Sequence, residues 1–156
     1  MENSPELPSN IEVEEHHRTQ VWIIDDNTDF NDALQRSLKY GEDRGVDFKF
    51  FNEGESALSA FEECCENKAQ LPSIILVDYN LEQFAKINPR YKTGVEIIAK
   101  LEEICAKYQA SRPEIIAYSS DKEQNEKLVQ AGANSSIDKS DSRNIRNYLR
   151  GIGGQQ

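Results

Sequence analysis

The stretch Ser73-Ile74-Ile75-Leu76-Val77-Asp78 decides how this chain folds. Its run of four consecutive large aliphatic residues is typical of a strand in the middle of a parallel sheet that is covered on both faces. Strands disfavour aspartate, so an aspartate at the end of such a run indicates a carboxylate that the protein uses. We therefore start from a central strand that ends in Asp78.

Three further strand-like segments also end in polar side chains. Val21-Trp22-Ile23-Ile24 is followed by Asp25 and Asp26, Ile115-Ile116-Ala117-Tyr118 by Ser119, and Ser136-Ile137-Asp138 by Lys139. The carboxyl ends of the strands of an open parallel α/β sheet face one crevice, where such folds place their sites. We expect these acids, the hydroxyl and the lysine to meet there.

Strand and helix patterns alternate five times along the chain. The predicted strands lie at 20–25, 46–51, 73–78, 114–118 and 135–138, and the predicted helices begin near Asn27-Thr28 and span 55–67, 94–108, 122–131 and 142–150. Alternating strands and helices favour βαβ units with right-handed crossovers. The predicted fold class is a flavodoxin-like, doubly wound α/β protein with five helices and a five-stranded parallel sheet in the order 2-1-3-4-5.

Charge and composition divide the chain and exclude several functions. We predict a disordered acidic N-terminal tail at 1–19, which carries a net −4 from five glutamates and Arg18, a domain at 20–150, and a C-terminal tail or start of a linker at 151–156. The net charge of −10 argues against direct nucleic-acid binding. No signal peptide or membrane-spanning run is present, which predicts a cytoplasmic protein.

The three cysteines are predicted to be reduced thiols without a chemical role. Cys64 and Cys65 are adjacent, Cys105 lies on another predicted helix, and none has the spacing of a zinc or redox motif.

The acids at the strand ends predict a divalent cation. Carboxylates in one crevice repel each other, and Mg²⁺ relieves that repulsion because it prefers oxygen ligands. Asp25 and Asp26 would anchor the metal, with Asp78 as a further ligand. An ionised carboxylate beside Mg²⁺ and Lys139 can attack phosphorus, while Ser119 donates a hydrogen bond and Lys139 forms an ion pair with the transferred group.

Each motif also has a structural interpretation. Asp25-Asp26-Asn27-Thr28 can serve as a helix N-cap whose acids are favoured by the helix dipole. Ser119-Ser120-Asp121 can equally cap the fourth predicted helix. The combination of all four strand ends, in this order, favours a functional site.

Residues 20–150 resemble a response-regulator receiver domain of two-component signalling (the CheY-like superfamily). The matching motifs are Ile23-Ile24-Asp25-Asp26-Asn27, Ile75-Leu76-Val77-Asp78-Tyr79-Asn80, Ile116-Ala117-Tyr118-Ser119-Ser120, and Ala131-Gly132-Ala133 followed by Ile137-Asp138-Lys139. The resemblance implies that Asp78 is the phosphoacceptor, that Asp25 and Asp26 organise Mg²⁺ with Asp26 the more direct ligand, and that the Asn80 backbone carbonyl completes the metal site. Ser119 takes the Ser/Thr position and Lys139 the lysine position of the family.

The resemblance also implies partners and tuning positions. The implied phosphodonor is a histidine kinase or histidine phosphotransfer protein, and the implied output face is formed by helix four, strand five and helix five. A downstream protein target or an output domain outside this chain would read that face, and a homodimer is a further implied assembly. Asn80 and Asp121 take positions where receiver side chains tune dephosphorylation, by orienting a hydrolytic water.

Three features depart from the family pattern. Ser136 stands where most receivers have a switch aromatic, and Ser140 replaces the proline that follows the lysine, which disfavours a cis peptide there. The loop at 79–93 is longer than usual before Gly94, and a loop of this length either caps the site, contacts a partner or is a plain surface loop.

Two other functions compete with a phosphorylated switch. One is a receiver-like interaction or dimerisation module that works without phosphorylation. The other is an aspartate-nucleophile phosphatase, which is disfavoured because Asn80 stands where such enzymes place a second Asp as general acid. In the leading hypothesis the chain is not a conventional enzyme, since it would catalyse only its own phosphorylation and dephosphorylation.

Overall fold

Five parallel strands form the centre of the described part of the chain. The computed structural model describes residues 18–38, 45–84 and 88–154. The strands are β1 (Thr19–Ile24), β2 (Val46–Phe51), β3 (Ile74–Val77), β4 (Glu114–Ser119) and β5 (Ser135–Asp138), and they lie in the order β2-β1-β3-β4-β5. Every neighbouring pair is parallel, so the predicted fold class and strand order are confirmed.

In the residues that the structure describes, five helices follow the strands and cover both faces of the sheet. They are α1 (Thr28–Ser37), α2 (Gly54–Asn67), α3 (Gly94–Tyr108), α4 (Lys122–Ala131) and α5 (Ser142–Gly154). No helix in the described ranges has both the length and the apolar character that a membrane span requires.

Two apolar clusters divide the core, one on each face of the sheet. On one face, alternate residues of the strands pack with α2, α3 and α4 around Phe61, Ile98 and Leu128. On the other face, the intervening strand residues pack with α1 and α5 around Leu34 and Leu149. β3 contributes to both clusters and is buried along its whole length, as its continuous apolar run predicts.

The helix ends follow local capping chemistry. Asn27 is the N-cap of α1, where its side chain accepts a hydrogen bond from the Phe30 amide. Thr93 and Glu96 form a capping box at the start of α3. Gly94 begins that helix so close to β3 that a Cβ atom there would overlap the Asp78 carbonyl oxygen and the side chains of Val77 and Leu128.

The last helix is longer than predicted. We expected α5 to end at residue 150, because Gly151, Gly153 and Gly154 disfavour helix, but it continues through Gly154. Ile152 packs against the cluster that also contains Ile145 and Leu149, so the apolar stripe of the helix extends beyond the first glycine. Burial of this stripe outweighs the low helix propensity of glycine.

Four other elements have the predicted bounds, namely β2, α3, α4 and β5, and the remaining boundaries differ by one residue. β1 begins at Thr19 and not at residue 20, because the Thr19 amide donates to the Gly45 carbonyl oxygen. Similarly, α2 begins at Gly54, β3 is shorter by one residue at each end, and β4 extends to Ser119. Residues 1–17, which make up most of the predicted disordered tail, lie outside the described residues, as do 155–156 of the predicted C-terminal segment.

The three cysteines are free thiols, as predicted. Cys64 and Cys65 on α2 are partly buried, and Cys105 on α3 is buried. Burial raises the pKa of both Cys65 and Cys105, which makes these thiols poor nucleophiles at neutral pH.

Candidate functional site

The pairing register of the sheet brings the predicted site residues to one edge. Ile24 pairs with Val77, so Asp25 and Asp78 follow neighbouring strands at the same level. The Asp78 amide donates to the Ile24 carbonyl oxygen at 3.0 Å, and the Lys139 amide donates to the Ser119 carbonyl oxygen at 3.1 Å. Two pairs of strands therefore deliver their polar residues to the carboxyl edge, as the sequence predicts.

Three carboxylates form a buried cluster at this edge. Asp25 is fully buried, Asp26 is 3% exposed and Asp78 is 7% exposed. Each offers one carboxylate oxygen that lies within 4.8 Å of the oxygens of the other two. Burial of like charges at this separation is unfavourable unless a cation or a proton is shared among them.

Lys139 provides one positive charge for this cluster. Its ammonium lies 2.5 Å from Asp25 Oδ2 and 3.0 Å from Asp78 Oδ2, and its side chain is only 13% exposed. One ammonium among three carboxylates leaves the cluster with excess negative charge. The lysine that follows β5 therefore lies beside Asp78, as the sequence predicts, and it also contacts Asp25.

The pKa values reflect this imbalance. Burial, followed by the charge of Asp25, raises the pKa of Asp78 to about 7 against the opposing effect of Lys139. Burial also raises the pKa of Asp26. Burial alone would lower the pKa of Lys139, but the charges of Asp25 and Asp78 outweigh it, so that the pKa of Lys139 is raised. The lysine remains charged while the acids favour a further cation.

The donor set fits Mg²⁺. Three carboxylates with oxygens within 4.8 Å of one another provide the hard, anionic oxygen ligands that this ion requires. Excess negative charge and raised acid pKa values are the electrostatic state that a divalent cation relieves. Asp25, Asp26 and Asp78 are the residues that would hold it.

Ser119 is buried next to the start of α4. Its hydroxyl donates to Gln124 Oε1 at 2.8 Å and accepts from the Asp121 amide at 3.1 Å. Its backbone is held by Asn125, which accepts from the Ser119 amide and donates to the carbonyl oxygens of Ser119 and Ile137. This amide fixes the ends of β4 and β5 relative to each other.

Asn80 and Asp121, the two predicted tuning residues, both act as backbone caps. Asn80 Oδ1 accepts from the amides of Glu82 and Gln83, each at 3.1 Å. Asp121 Oδ1 accepts from the amides of Glu123 and Gln124, so Asp121 is the N-cap of α4. The alternative interpretation of Asp121 as a helix cap therefore describes its hydrogen bonds, and any role in dephosphorylation stays a prediction.

The long loop after β3 reaches the acid cluster through its main chain. The Phe84 amide donates to Asp26 Oδ2 at 2.8 Å, and Leu81, which is 1% exposed, fixes this end of the loop in the core. The Leu81 amide donates to the Lys92 carbonyl oxygen, and the Gly94 amide to that of Tyr79. Residues 85–87 of the predicted loop lie outside the described residues.

Two amides that sequence reasoning missed also hold the site together. Asn31 on α1 is buried and donates to the Asp25 carbonyl oxygen at 2.8 Å and to Asn52 Oδ1 at 3.0 Å. Asn125 on α4 has the corresponding role at Ser119. The signal available in the sequence was weak, since an asparagine on the inward face of a helix is unusual but does not show which strand it contacts.

Ser136 and Ser140, which depart from the family pattern, differ in their contacts. Ser136 on β5 is exposed, at the position where the resemblance leads one to expect an aromatic residue. Ser140 hydrogen-bonds to Asp138 Oδ1 through both its hydroxyl, at 2.6 Å, and its amide, at 2.9 Å. A proline has neither donor. None of the peptide bonds in the described ranges is cis, in agreement with the expectation from Ser140.

The comparisons with known proteins support the fold. No protein-family model matches the chain, and no curated protein matches it. Solved structures do match: a receiver domain of the histidine kinase CKI1 from Arabidopsis thaliana is 24% identical with a TM-score of 0.63, covering 90% of this chain and 94% of that one. A CheY-like receiver domain protein from Methanospirillum hungatei is 16% identical with a TM-score of 0.59, covering 88% and 95%.

A third match is a response regulator from Burkholderia pseudomallei that contains a phosphorylated aspartic acid and a calcium ion. It is 21% identical with a TM-score of 0.58, and the match covers 88% of this chain and 69% of that protein. The chain therefore has the fold of response-regulator receiver domains, and the predicted resemblance is confirmed at the level of the fold.

Proposed function

We propose that this chain is a receiver-type signalling switch that accepts a phosphoryl group on Asp78 with the help of Mg²⁺. The observation that carries the proposal is the buried cluster of Asp25, Asp26 and Asp78 bridged by Lys139 at the carboxyl edge of the sheet. The receiver fold of the chain supports a phosphoacceptor role for such a cluster.

Each side chain has a separate task in the proposed reaction. A carboxylate oxygen of Asp78 attacks the phosphorus of the donor, the new O–P bond forms as the bond to the leaving atom breaks, and that atom keeps the electron pair. Bound Mg²⁺ would supply neutralisation of the charge on the transferred phosphoryl oxygens. Lys139 forms an ion pair with the phosphoryl group, and Ser119 donates a hydrogen bond to it in place of its bond to Gln124. Asp25, Asp26 and Asp78 would hold the metal, together with the Asn80 carbonyl oxygen.

The proposed partners follow from the same chemistry. The phosphodonor is a histidine kinase or a histidine phosphotransfer protein in the cytoplasm, and it approaches the carboxyl edge of the sheet, where Asp78 lies. The output face is formed by α4, β5 and α5, and its reader is a downstream protein, an output domain or a second copy of the chain. Asn80 and Asp121 are the proposed positions that tune hydrolysis of the phosphoryl group.

One observation favours a second candidate, an interaction module that works without phosphorylation. Ser136, at the position of the usual switch aromatic, is exposed on β5 and has no ring to rotate inward. The two candidates differ in their response to Asp78→Asn, which would mimic the unphosphorylated state of a switch but leave the interaction module functional.

Intact-mass spectrometry tests the proposal. The protein is incubated with Mg²⁺ and a small acyl phosphate, and the proposal predicts a single phosphoryl adduct that is absent without Mg²⁺ and in Asp78→Asn. Glu62→Gln is the matched control, because it removes a carboxylate that lies outside the site, and it should be phosphorylated like the wild type. If the wild-type protein binds Mg²⁺ but remains unphosphorylated with both the acyl phosphate and a phosphorylated histidine phosphotransfer protein, the switch is excluded.

A further inference from the structure

Two aromatic rings lie against the ammonium of Lys139, on the face of the sheet that α1 and α5 cover. The Nζ atom is 4.9 Å from the centre of the Phe30 ring and 5.4 Å from the centre of the Tyr118 ring. The ring centres are 5.9 Å apart with an interplanar angle of 60°. Both distances are within the range of about 6 Å over which a cation is attracted to an aromatic ring.

Tyr118 is the more buried of the two rings. It is fully buried on β4, immediately before Ser119. Its hydroxyl has no hydrogen-bond partner among the described residues. A buried hydroxyl without a partner destabilises the folded protein relative to a plain ring. The contacts that tie Tyr118 to the site are therefore those of its ring.

The surroundings of Lys139 explain why a ring is useful there. A lysine side chain is flexible, and its ammonium can rotate freely. Two carboxylates attract it at 2.5 and 3.0 Å, and their relative attraction changes when Asp78 carries a phosphoryl group. The ring centres of Phe30 and Tyr118 lie 4.9 and 5.4 Å from the ammonium, so the rings restrict it without a hydrogen bond from the Tyr118 hydroxyl.

We propose that the Tyr118 ring, together with Phe30, is a positioning element that holds the Lys139 ammonium between Asp25 and Asp78 for phosphoryl transfer. Tyr118 acts through Lys139 and does not touch the phosphoryl group. The residue pairs with Ile137 on β5, two positions before Lys139, so the same stretch of β4 aligns the lysine strand and supports the lysine side chain.

A double-mutant cycle tests the contact itself and does not depend on phosphorylation. Urea unfolding curves are measured without Mg²⁺ for the wild type, the two single variants Tyr118→Leu and Lys139→Met, and the double variant. The proposal predicts that the midpoint shift of Tyr118→Leu is clearly smaller in the Lys139→Met background than in the wild type, because the ring has lost its cation. Equal shifts in both backgrounds overturn the proposal. If Tyr118→Leu does not fold, the same cycle is measured with Phe30→Leu.

Phosphorylation rates then test the positioning role, which rests on the proposed function. With saturating Mg²⁺ and a small acyl phosphate, Tyr118→Leu should lower the maximal rate constant about tenfold, without a change in the Mg²⁺ dissociation constant measured by calorimetry. Tyr118→Phe, which keeps the ring, should restore the rate. Phe61→Leu is the matched control, since Phe61 is equally buried on the other face of the sheet, and it should retain the wild-type rate.

The possible outcomes separate the two proposals. A rate loss in Tyr118→Phe as large as in Tyr118→Leu overturns the ring proposal, because the hydroxyl would then be responsible. A rate loss in Phe61→Leu equal to that in Tyr118→Leu overturns it as well, since a general loss of packing would explain both. A wild-type protein that is never phosphorylated refutes the proposed function, and the urea cycle still decides whether Tyr118 holds Lys139.

Discussion

Two contacts between a lysine and an acid differ strongly in solvent exposure in this molecule. At the carboxyl edge of the sheet, Lys139 is 13% exposed and its partner Asp25 is fully buried. On the outer surface of α2 and α3, Lys107 lies 3.1 Å from Glu62 with side-chain exposures of 65% and 35%. The chemical groups are similar, but the buried lysine faces three carboxylates in a dry environment, whereas the surface lysine pairs with one carboxylate beside water.

The environment reverses the direction in which the pKa of the acid shifts. At the surface, hydrogen bonds from Lys107 and Tyr108 lower the pKa of Glu62. In the buried cluster, desolvation and the charge of Asp25 raise the pKa of Asp78 to about 7, although a lysine lies beside it. A surface pair is thus satisfied by its lysine, whereas the buried cluster needs a further cation. This imbalance is the physical basis of the proposed metal and phosphoryl site.

The largest expected effect is the loss of folding stability when the buried lysine is removed. Lys139→Met leaves three buried carboxylates without their cation, and it should lower the free energy of unfolding by about 3–5 kcal/mol at pH 8 without divalent ions. Urea unfolding measures this loss. Lys107→Met is the matched control and should cause a far smaller loss, because water solvates its partner. Similar losses in the two variants would contradict the contrast between the clusters.

The second expected effect is a dependence on pH that has opposite signs in the two clusters. The pKa of Asp78 rises from its ordinary 3.8 to about 7 on folding, so the folded state binds the additional proton between these values. The contribution of Asp78 to stability is complete below pH 3.8 and is lost as the pH rises through 7. Asp78→Asn should therefore be more stable than the wild type by up to about 4 kcal/mol above pH 7 in the absence of Mg²⁺.

Glu62→Gln is the control for the direction of this pH dependence. Because the pKa of Glu62 is lowered on folding, its contribution is present above its ordinary pKa of 4.5 and is lost as the pH falls. Glu62→Gln should therefore slightly destabilise the protein at neutral pH. Urea unfolding curves between pH 4 and 8 compare the two variants, and a change of the same sign in both would refute the argument from burial.

The third expected effect is stabilisation of the folded protein by Mg²⁺. Mg²⁺ at ten times its dissociation constant should raise the free energy of unfolding of the wild-type protein by about 1.4 kcal/mol. The gain should be retained in Glu62→Gln and strongly reduced in Asp26→Asn, which loses a proposed metal ligand. Thermal unfolding with and without Mg²⁺ measures it. An equal gain in both variants would indicate that Mg²⁺ binds elsewhere.

The smallest expected effect is the response of the surface pair to salt. The Lys107–Glu62 pair is largely exposed, so its small contribution should disappear in about 1 M NaCl, where the Debye length is only about 3 Å. The wild type and Lys107→Met should then have the same urea midpoint. The effect of Lys139→Met should persist in high salt, because buried pairs are screened much less.

The main features of the fold were predictable because they depend on local patterns. The apolar run that ends in Asp78 and the alternation of strands and helices predict a parallel, doubly wound sheet, and the acids after β1 and β3 favour the order in which these two strands are neighbours. Capping signals place α1 correctly at Asn27. The end of α5 was not predictable, because the helix continues over Gly151 only when Ile152 finds a place in the core. Local propensity does not contain that tertiary contact.

The site was predictable in part. Strand ends identify Asp25, Asp78 and Lys139, because parallel strands deliver their ends to one edge. Contacts made by main-chain groups leave no such signal: every residue except proline carries an amide, so nothing in the sequence indicates that Phe84 donates to Asp26. The contact between the Tyr118 ring and the Lys139 ammonium was not predictable either, because in the sequence Tyr118 is simply one more residue of an apolar strand.

Localisation of the phosphoryl group is the most direct test of the central claim, that the buried and incompletely neutralised cluster is a phosphoacceptor. The protein is incubated with Mg²⁺ and an acyl phosphate, the acyl phosphate linkage is reduced with borohydride, and the peptides are sequenced by mass spectrometry. We expect Asp78 alone to be modified. Modification of surface acids such as Glu62 to the same extent, or of Asp25 or Asp26 in place of Asp78, would contradict it.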